Sequence, residues 1–414
     1  MTAIVAVLNK HAVAIAADSA VTMGDTHKVV NSANKIFTLS KYHPVAVMTY
    51  SNAAFMGVPW DIIIKEYRRK LKDKSFNTVK EYAEDFIKFI HKRNFFCEKE
   101  TQLTCLKIEL KSFVDMCLND ISRQKEIKKI DDVAEEDLRL LLCDCKEKLS
   151  QCKKCPDFEK YEYSEFKKQF YAIIEEFSKE NNLDLSEDLC EAFFYYLSAQ
   201  SNLRMNTGLV FVGYGEEEIY PSLHQMNVAL AVGKRLRYYF GETFDVSDNL
   251  PADILPFAQT DVTETILRGI NPAFRQIIND NVGNYLSSFS EGIANILDQD
   301  KATSEVASVI RQKFNIKEST EALVKRINDA MFQSYTKPLH DTIISLDKED
   351  MANMAESFIS LTSLVRRMQP GEETVGGPVD VAVISKGDGF VWINRKHYFK
   401  PELNAVFFHN YLRI

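Results

Sequence analysis

The sequence predicts an α+β layered domain, a sheet-on-sheet core with helices outside, carrying a large helical insertion. Three observations predict it. Strand-like and helix-like text come in blocks, in the order strands, helices, strands, helices, strands, and not as repeated βαβ units. The strands at both ends of the chain are short apolar runs that read as buried. Between them, residues from about 75 to 203 form amphipathic, Lys- and Glu-rich text that holds all eight cysteines and few strand signals. With 414 residues, the chain is long enough for two or three structural units or one core with an insertion, and the block order favours the insertion. The boundaries read as 1–75 for the first part of the core, 76–203 for the inserted helical subdomain, and 204–414 for the second part with additional helices.

Residues 4–8 are an apolar run, Asn9-Lys10-His11 a turn, and 12–17 a second run ending at Asp18, so two buried strands are joined by a tight connection. Strands follow at 28–30, 35–39 and 44–50. From 53 to 71 the period changes. Phe55, Ile62, Ile63, Tyr67 and Leu71 fall on helical spacing, with Lys and Arg at the far end where they complement the helix dipole. After the insertion, 207–215 and 218–223 read as a hairpin. Helical stretches are expected near 260–298 and 301–347, and a third at 351–368, where Met354, Phe358, Leu361 and Leu364 repeat at four and three. The tail is a strand at 378–385, a glycine-containing turn at 386–389 and a strand at 390–393.

Composition narrows the function. Hydrophobic residues make up 45% and charged residues 27%, a globular balance. The net charge of −8 offers no basic field for a phosphate backbone, which argues against nucleic acid as a partner. No run of 18 apolar residues exists and the N-terminus lacks the pattern of a secretion signal, so the expectation is a soluble cytoplasmic protein with no membrane partner. The cysteines fit a reducing compartment. Cys143, Cys145, Cys152 and Cys155 raise the question of a zinc ion, but Cys143 and Cys145 are two apart in helical text, where side chains diverge, so ordinary thiols on a helical hairpin are the preferred reading and no metal or cofactor is expected. His11, His27, His43, His224 and His397 show no paired ligand spacing and read as surface or hydrogen-bonded residues. The aromatic run Phe193-Phe194-Tyr195-Tyr196 reads as core or subunit contact and not as a binding cage.

The chemistry starts at position two. Initiator methionine is typically removed before a residue as small as Thr2, which would leave that threonine with a free α-amine. A hydroxyl needs a base, and an α-amine with an ordinary pKa of about 7.7–8.0 can serve near neutral pH, so nucleophile and base would share one residue. A lysine such as Lys35 would depress the amine's pKa, and an aspartate such as Asp18 would hold that lysine charged and oriented. Taken singly, each has a plainer reading: an ordinary second residue, a turn-former and a solvated edge charge.

Together they resemble a family. Residues 2–7, the stretch Val13-Ala14-Ile15-Ala16-Ala17-Asp18-Ser19, Thr22-Met23-Gly24 and Asn34-Lys35-Ile36 are similar to the catalytic start of proteasome β-subunits and their bacterial relatives, the N-terminal-nucleophile (Ntn) hydrolases. The hairpin from Gly213-Tyr214-Gly215 to Tyr220 resembles the family's "GYD…LY" hairpin, and the stretch from Val375-Gly376-Gly377-Pro378 to Ile384 resembles its late "SGG" turn and strand. The resemblance implies a four-layer αββα sandwich, with Thr2 as nucleophile, Asp18 as orienting carboxylate and Lys35 as the tuning charge. It covers about half the chain, in two blocks. Four departures stand out. Ser51 lies nearest the place of the family's glycine-rich oxyanion segment. The "GSG" helper serine has no clear counterpart, 256–261 being the best match, with Thr260 as its hydroxyl. Glu372, with Glu373, Thr374 and Val375, stands where an aspartate and a serine are expected. With no propeptide, maturation would rest on methionine removal.

The leading expectation is therefore a proteasome-like threonine hydrolase, cytoplasmic and oligomeric, cleaving peptide or protein substrates through an acyl-enzyme on Thr2. Two alternatives stand beside it: a catalytically inactive assembly subunit of the same fold, and a small-molecule amidase. The insertion has three readings, as a cap on the cleft, as a docking element for substrate or a partner ATPase, or as a surface for homo-oligomer assembly.

Overall fold

The computed structural model describes residues 2–23, 28–126, 133–200, 206–299, 303–313, 316–369 and 375–406. The chain separates into two compact units, one formed by residues 1–32, 247–383 and 393–414, the other by residues 33–246 and 384–392. The strands are β1 (Ala3–Asn9), β2 (Val13–Ala17), β3 (Val21–Met23), β4 (Lys28–Val30), β5 (Ile36–Thr38), β6 (Val45–Ser51), β7 (Ala54–Phe55), β8 (Val58–Pro59), β9 (Thr207–Gly213), β10 (Ser222–Val232), β11 (Arg235–Asp245), β12 (Ala252–Ala258), β13 (Asp380–Ser385) and β14 (Gly389–Asn394). Helices α1 (Trp60–Leu71), α2 (Val79–Lys92), α3 (Lys99–Gln124), α4 (Glu135–Ser150), α5 (Tyr163–Glu180) and α6 (Ser186–Ser198) precede β9. Between β12 and β13 lie α7 (Asp261–Arg268), α8 (Pro272–Leu297), α9 (Ser304–Lys313), α10 (Ile316–Met331), α11 (Lys337–Ile343) and α12 (Lys348–Met368). Mixed helices and antiparallel sheets make the fold α+β. Among the described residues, no helix is long and apolar enough to cross a membrane.

The first unit is built on a five-stranded sheet in the order β12-β1-β2-β13-β14. β1 runs antiparallel to β12, from Ala3 opposite Ala258 to Asn9 opposite Ala252, and antiparallel to β2 on its other edge. Every residue of β1 and β2 is buried, which explains why neither shows polar alternation. Asn9 makes the turn between them. Its side chain accepts from the N–H groups of His11 and Ala12 and donates to the carbonyls of Ile343 and Leu346. Helix α12 starts on an Asp347 cap, whose carboxylate accepts from the N–H groups of Glu349 and Asp350. Its buried residues Met351, Ala355, Phe358 and Ile359 share a core with Val5, Val7, Ala14 and Ala16.

The second unit carries a five-stranded antiparallel sheet in the order β11-β10-β9-β6-β5. Its core is aromatic. Trp60 and Tyr67 of α1 and Phe86 and Phe89 of α2 pack ring against ring, and Phe86 meets Phe211 of β9 edge-on at 5.6 Å. Phe193, Phe194 and Tyr196 of α6 are buried in the same core with Phe113, Tyr161 and Phe166. Gly213 ends β9 at φ +139, and a Cβ there would lie 2.0 Å from the carbonyl oxygen of Pro44, so glycine is required.

Several elements differ from the sequence expectation. The helix expected from 53 begins at Trp60, because β7 and β8 make a tight hairpin whose turn puts Met56 at φ 47 and Gly57 at φ 88, and Pro59 then sits at the helix N-cap. The strand expected at 218–223 starts only at Ser222 and runs to Val232. Glu218 folds the preceding loop by accepting from Gly215 N–H at 2.6 Å and the Ser222 hydroxyl at 2.8 Å. Strands β11 and β12 lie where the sequence shows no strand signal, and the long helical stretches divide, at Gly269 (φ 72) between α7 and α8 and at a π-helical turn, Phe332–Thr336, between α10 and α11.

Candidate active site

Asp18 follows β2 directly opposite the start of β1. Its backbone N–H donates to the carbonyl of Ala3 at 3.1 Å, and its carboxylate Oδ1 accepts the N–H of Ala3 at 2.9 Å. The amide that joins Thr2 to Ala3 is thus fixed by a charged acceptor. The other edge of Thr2 is fixed as well: its carbonyl accepts from the N–H of Gln259 at 3.2 Å, continuing the β1–β12 ladder past Ala258. Thr2 is 4% exposed and Asp18 has no exposed surface. The second carboxylate oxygen, Oδ2, takes the N–H groups of Ala20 at 3.0 Å and Gly376 at 3.3 Å. A buried carboxylate meets its desolvation cost through such bonds.

The late glycine turn closes on the same spot. Gly376 reaches Asp18 with its N–H and accepts from Ser19 N–H at 3.0 Å, and the Ser19 hydroxyl donates to the carbonyl of Pro378. Gly377 takes φ +75, and a Cβ there would fall 2.9 Å from Cβ of Asn31. Two stretches some 360 residues apart in sequence are therefore adjacent in the fold. Thr260, half-buried, begins α7 one residue beyond Gln259. Arg366 of α12 clamps this corner, donating to Gln259 and Asp261 and, at 2.8 Å, to Gln369. In sequence Arg366 carries no signal of this role, since an arginine two residues before the end of an amphipathic helix reads only as a complement to the helix dipole.

Lys35 and Ser51 belong to the second unit, where they flank one strand pairing. Lys35 immediately precedes β5, is 3% exposed, and its carbonyl accepts from Thr49 N–H at 2.8 Å. A lysine is rarely so buried unless its ammonium is paired. Ser51 ends β6, two residues past Thr49, and is exposed, with φ 68. That left-handed conformation favours glycine. The turn after it is pinned by the Thr207 hydroxyl, which donates to the carbonyl of Asn52 at 3.1 Å and accepts from the Trp60 indole at 2.7 Å. Glu372 lies outside the described residues, as do Gly24 and His27.

Cys143 is exposed, Cys145 and Cys152 are half-buried, and Cys155 is buried. Among the described residues none of the four belongs to a group of side chains close enough to hold a metal ion. Cys155 donates to the carbonyl of Ala199, and burial pushes its thiol up to about 11. Cys145 is held below the ordinary thiol range, chiefly by a hydrogen bond with Cys117.

No protein-family model matches the chain, and no curated protein matches it. Among solved structures the chain is similar to a Gly-1 mutant of Anbu from Hyphomicrobium sp. strain MC1, with 9% identity, 99% of this chain and 92% of that chain covered, and a TM-score of 0.30. It is similar also to Anbu, an ancestral beta-subunit, from Yersinia bercovieri (9% identity, 99% and 94% covered, TM-score 0.29). A third is the helical assembly of the Anbu complex from Pseudomonas aeruginosa (9% identity, 98% and 90% covered, TM-score 0.34).

Proposed function

We propose that this protein is a proteasome-like N-terminal threonine hydrolase that cleaves peptide or amide bonds, with Thr2 as the nucleophile once Met1 is removed. The observation that carries the reading is the double grip on Thr2, by Gln259 N–H on its carbonyl and by the buried Asp18 carboxylate on the amide that follows it. Such a grip fixes the residue whose hydroxyl must be aimed. The freed α-amine takes the proton from Thr2 Oγ as the oxygen attacks the substrate carbonyl, an acyl-enzyme forms as the amine leaving group takes that proton, and water activated by the same α-amine releases the acid. In this reading Asp18 is a positioning residue. Lys35 has the role of the charge that lowers the amine's pKa and Ser51 that of a backbone oxyanion donor, both carried by the sequence resemblance; the left-handed backbone of Ser51, where the family has glycine, agrees with the latter. Thr260 and Glu372 are assigned supporting roles on the same resemblance. The proposed substrate is a peptide or protein, in a cytoplasmic homo-oligomer served by a partner ATPase. The reading keeps the resemblance's four-layer αββα sandwich and the 76–203 insertion as part of the proposal.

The near-complete burial of Thr2 favours one second reading, a catalytically inactive assembly subunit. Intact mass before and after an electrophile that captures N-terminal threonines separates the two. Loss of Met1 and a single adduct, absent in Thr2→Ala, is expected. A retained Met1, an unreactive free Thr2, or full hydrolytic activity in Thr2→Ala overturns the proposal.

A further inference from the structure

The second unit holds a cluster that the threonine chemistry does not use. Glu218, His224 and Asp245 each present a ligand atom, and these atoms lie within 4.8 Å of one another. The fold builds the group from three places. His224 lies on β10 two residues past Ser222, hence on the same face of the strand, and Ser222 is directly opposite Asp245 of β11, so His224 and Asp245 are diagonal neighbours across the ladder. The pairing slips immediately after His224, at an irregularity before Met226. Glu218 comes from the folded loop before β10. Its Oε2 accepts the N–H groups of Gly215 and of Val79 at the start of α2, and its Oε1 accepts the Ser222 hydroxyl, which orients the carboxylate and leaves Oε1 with acceptor capacity to spare.

The histidine lacks the hydrogen bonds that a buried imidazole requires. It is 6% exposed. Nδ1 is buried and has no partner among the described residues, and Nε2 is 3.6 Å from Asp245 Oδ1, too far for a hydrogen bond. That separation suits a shared ion: two bonds of about 2.1 Å at a tetrahedral angle span roughly 3.4 Å. Burial depresses the His224 pKa, favouring the neutral, ligating form, with Asp245 opposing and Lys80 reinforcing that shift. Asp245 is 69% exposed, so water has access to a further coordination position.

We propose that Glu218, His224 and Asp245 bind a divalent transition-metal cation of the zinc class, with solvent completing the coordination. One nitrogen and two carboxylate oxygens are a borderline donor set of the kind zinc accepts, and two negative charges offset the ion's own. The ion ties the loop before β10, the β10–β11 ladder and, through Glu218, the start of α2 into one unit, so its expected effect is on stability. The inference is independent of Thr2.

The test is a Zn²⁺ titration of the full-length, chelator-treated protein by calorimetry, with bound metal counted by mass spectrometry and melting temperature followed in parallel. Asp245→Asn is the main variant, since this exposed side chain can change without disturbing packing; His224→Gln is the second. Zinc bound by thiols is the same in all three proteins. The expected result is that each variant binds one equivalent fewer than the parent, or binds it about 100-fold more weakly, and that the zinc-dependent rise in melting temperature shrinks in both. Equal stoichiometry and affinity in the parent and Asp245→Asn overturn the proposal, as does a parent that binds no zinc.

Discussion

Replacing Asp18 tests whether the start of β1 is held by a carboxylate. Three buried N–H groups converge on it, from Ala3 at 2.9 Å, Ala20 at 3.0 Å and Gly376 at 3.3 Å. Hydrogen bonds to a charged group contribute about 1.5–3 kcal/mol each. The Gly376 bond is long, so the two shorter ones dominate and Asp18→Ala is expected to cost about 4 kcal/mol, near the upper end for single substitutions. Asp18→Asn keeps one acceptor oxygen but turns an amide N–H toward another donor, and about 2 kcal/mol is expected. At an m-value of about 2 kcal/mol/M in urea, these losses lower the unfolding midpoint by about 2 M and about 1 M. The assay follows from where the tryptophans lie. Trp60 lies in the core of the second unit but Trp392 lies on β14, in the same sheet as β1 and β2, so far-UV circular dichroism follows the whole chain and hydrogen exchange in peptides covering β1 and β2 is the direct readout of the first unit. The expected order of midpoints by circular dichroism is parent, Asp18→Asn, Asp18→Ala, with exchange protection lost first in β1. An Asp18→Ala midpoint within about 0.25 M of the parent would refute the claim that this carboxylate satisfies the three amides.

Glu109→Ala should destabilise the second unit by about 3–5 kcal/mol, because it strands a buried charge. Arg237 is fully buried, donates to Glu109 Oε1 at 3.1 Å and to the Tyr196 carbonyl at 2.5 Å, and stacks on the Tyr196 ring; Tyr196 hydroxyl donates to the same Oε1 at 2.8 Å. Since Glu109 Oε2 has no partner among the described residues, the apolar pair Glu109→Leu with Arg237→Met should recover most of the loss, read from tryptophan fluorescence in urea. A pH test applies to His340, whose pKa is raised by its hydrogen bond to Asp253. A raised pKa means stabilisation that is fully present below the unfolded value of about 6.5 and is lost as pH rises through the folded value. Asp253→Asn should therefore lower stability more at pH 5.5 than at pH 8.5, and by under about 1 kcal/mol because the pair is partly exposed; an equal effect at both pH values would contradict the pairing.

What could be read in advance was local. The turn at Asn9 and the runs on either side were visible because a tight β-connection needs only neighbouring residues, and the pairing of Ala17 with Ile4 follows from the turn length alone. The residues of β11 were invisible for the opposite reason. Its text mixes Arg235, Arg237 and Gly241 with aromatics, and its register on β10 is irregular in two places, so no alternation survives to be counted. β12 carries Pro256 at a half-buried position in a strand at the sheet edge, where the missing N–H costs no ladder bond, yet in sequence that proline argues against a strand.

The same contrast separates the two sets of candidate residues. Thr2, Asp18 and Lys35 sit at spacings that resemble a known family, so their roles could be named before any geometry. Glu218, His224 and Asp245 are six and 21 residues apart, in a loop and on two strands whose register is broken beside the histidine. No ligand spacing exists along the chain because the folded loop and the bulged ladder create it, and the histidine that reads as an ordinary residue in sequence is marked in the fold by the hydrogen bonds it does not make. If the ion is bound as proposed, chelation lowers the melting temperature of the second unit and added zinc restores it; if β10 and β11 are held by their ladder alone, chelation leaves that temperature unchanged.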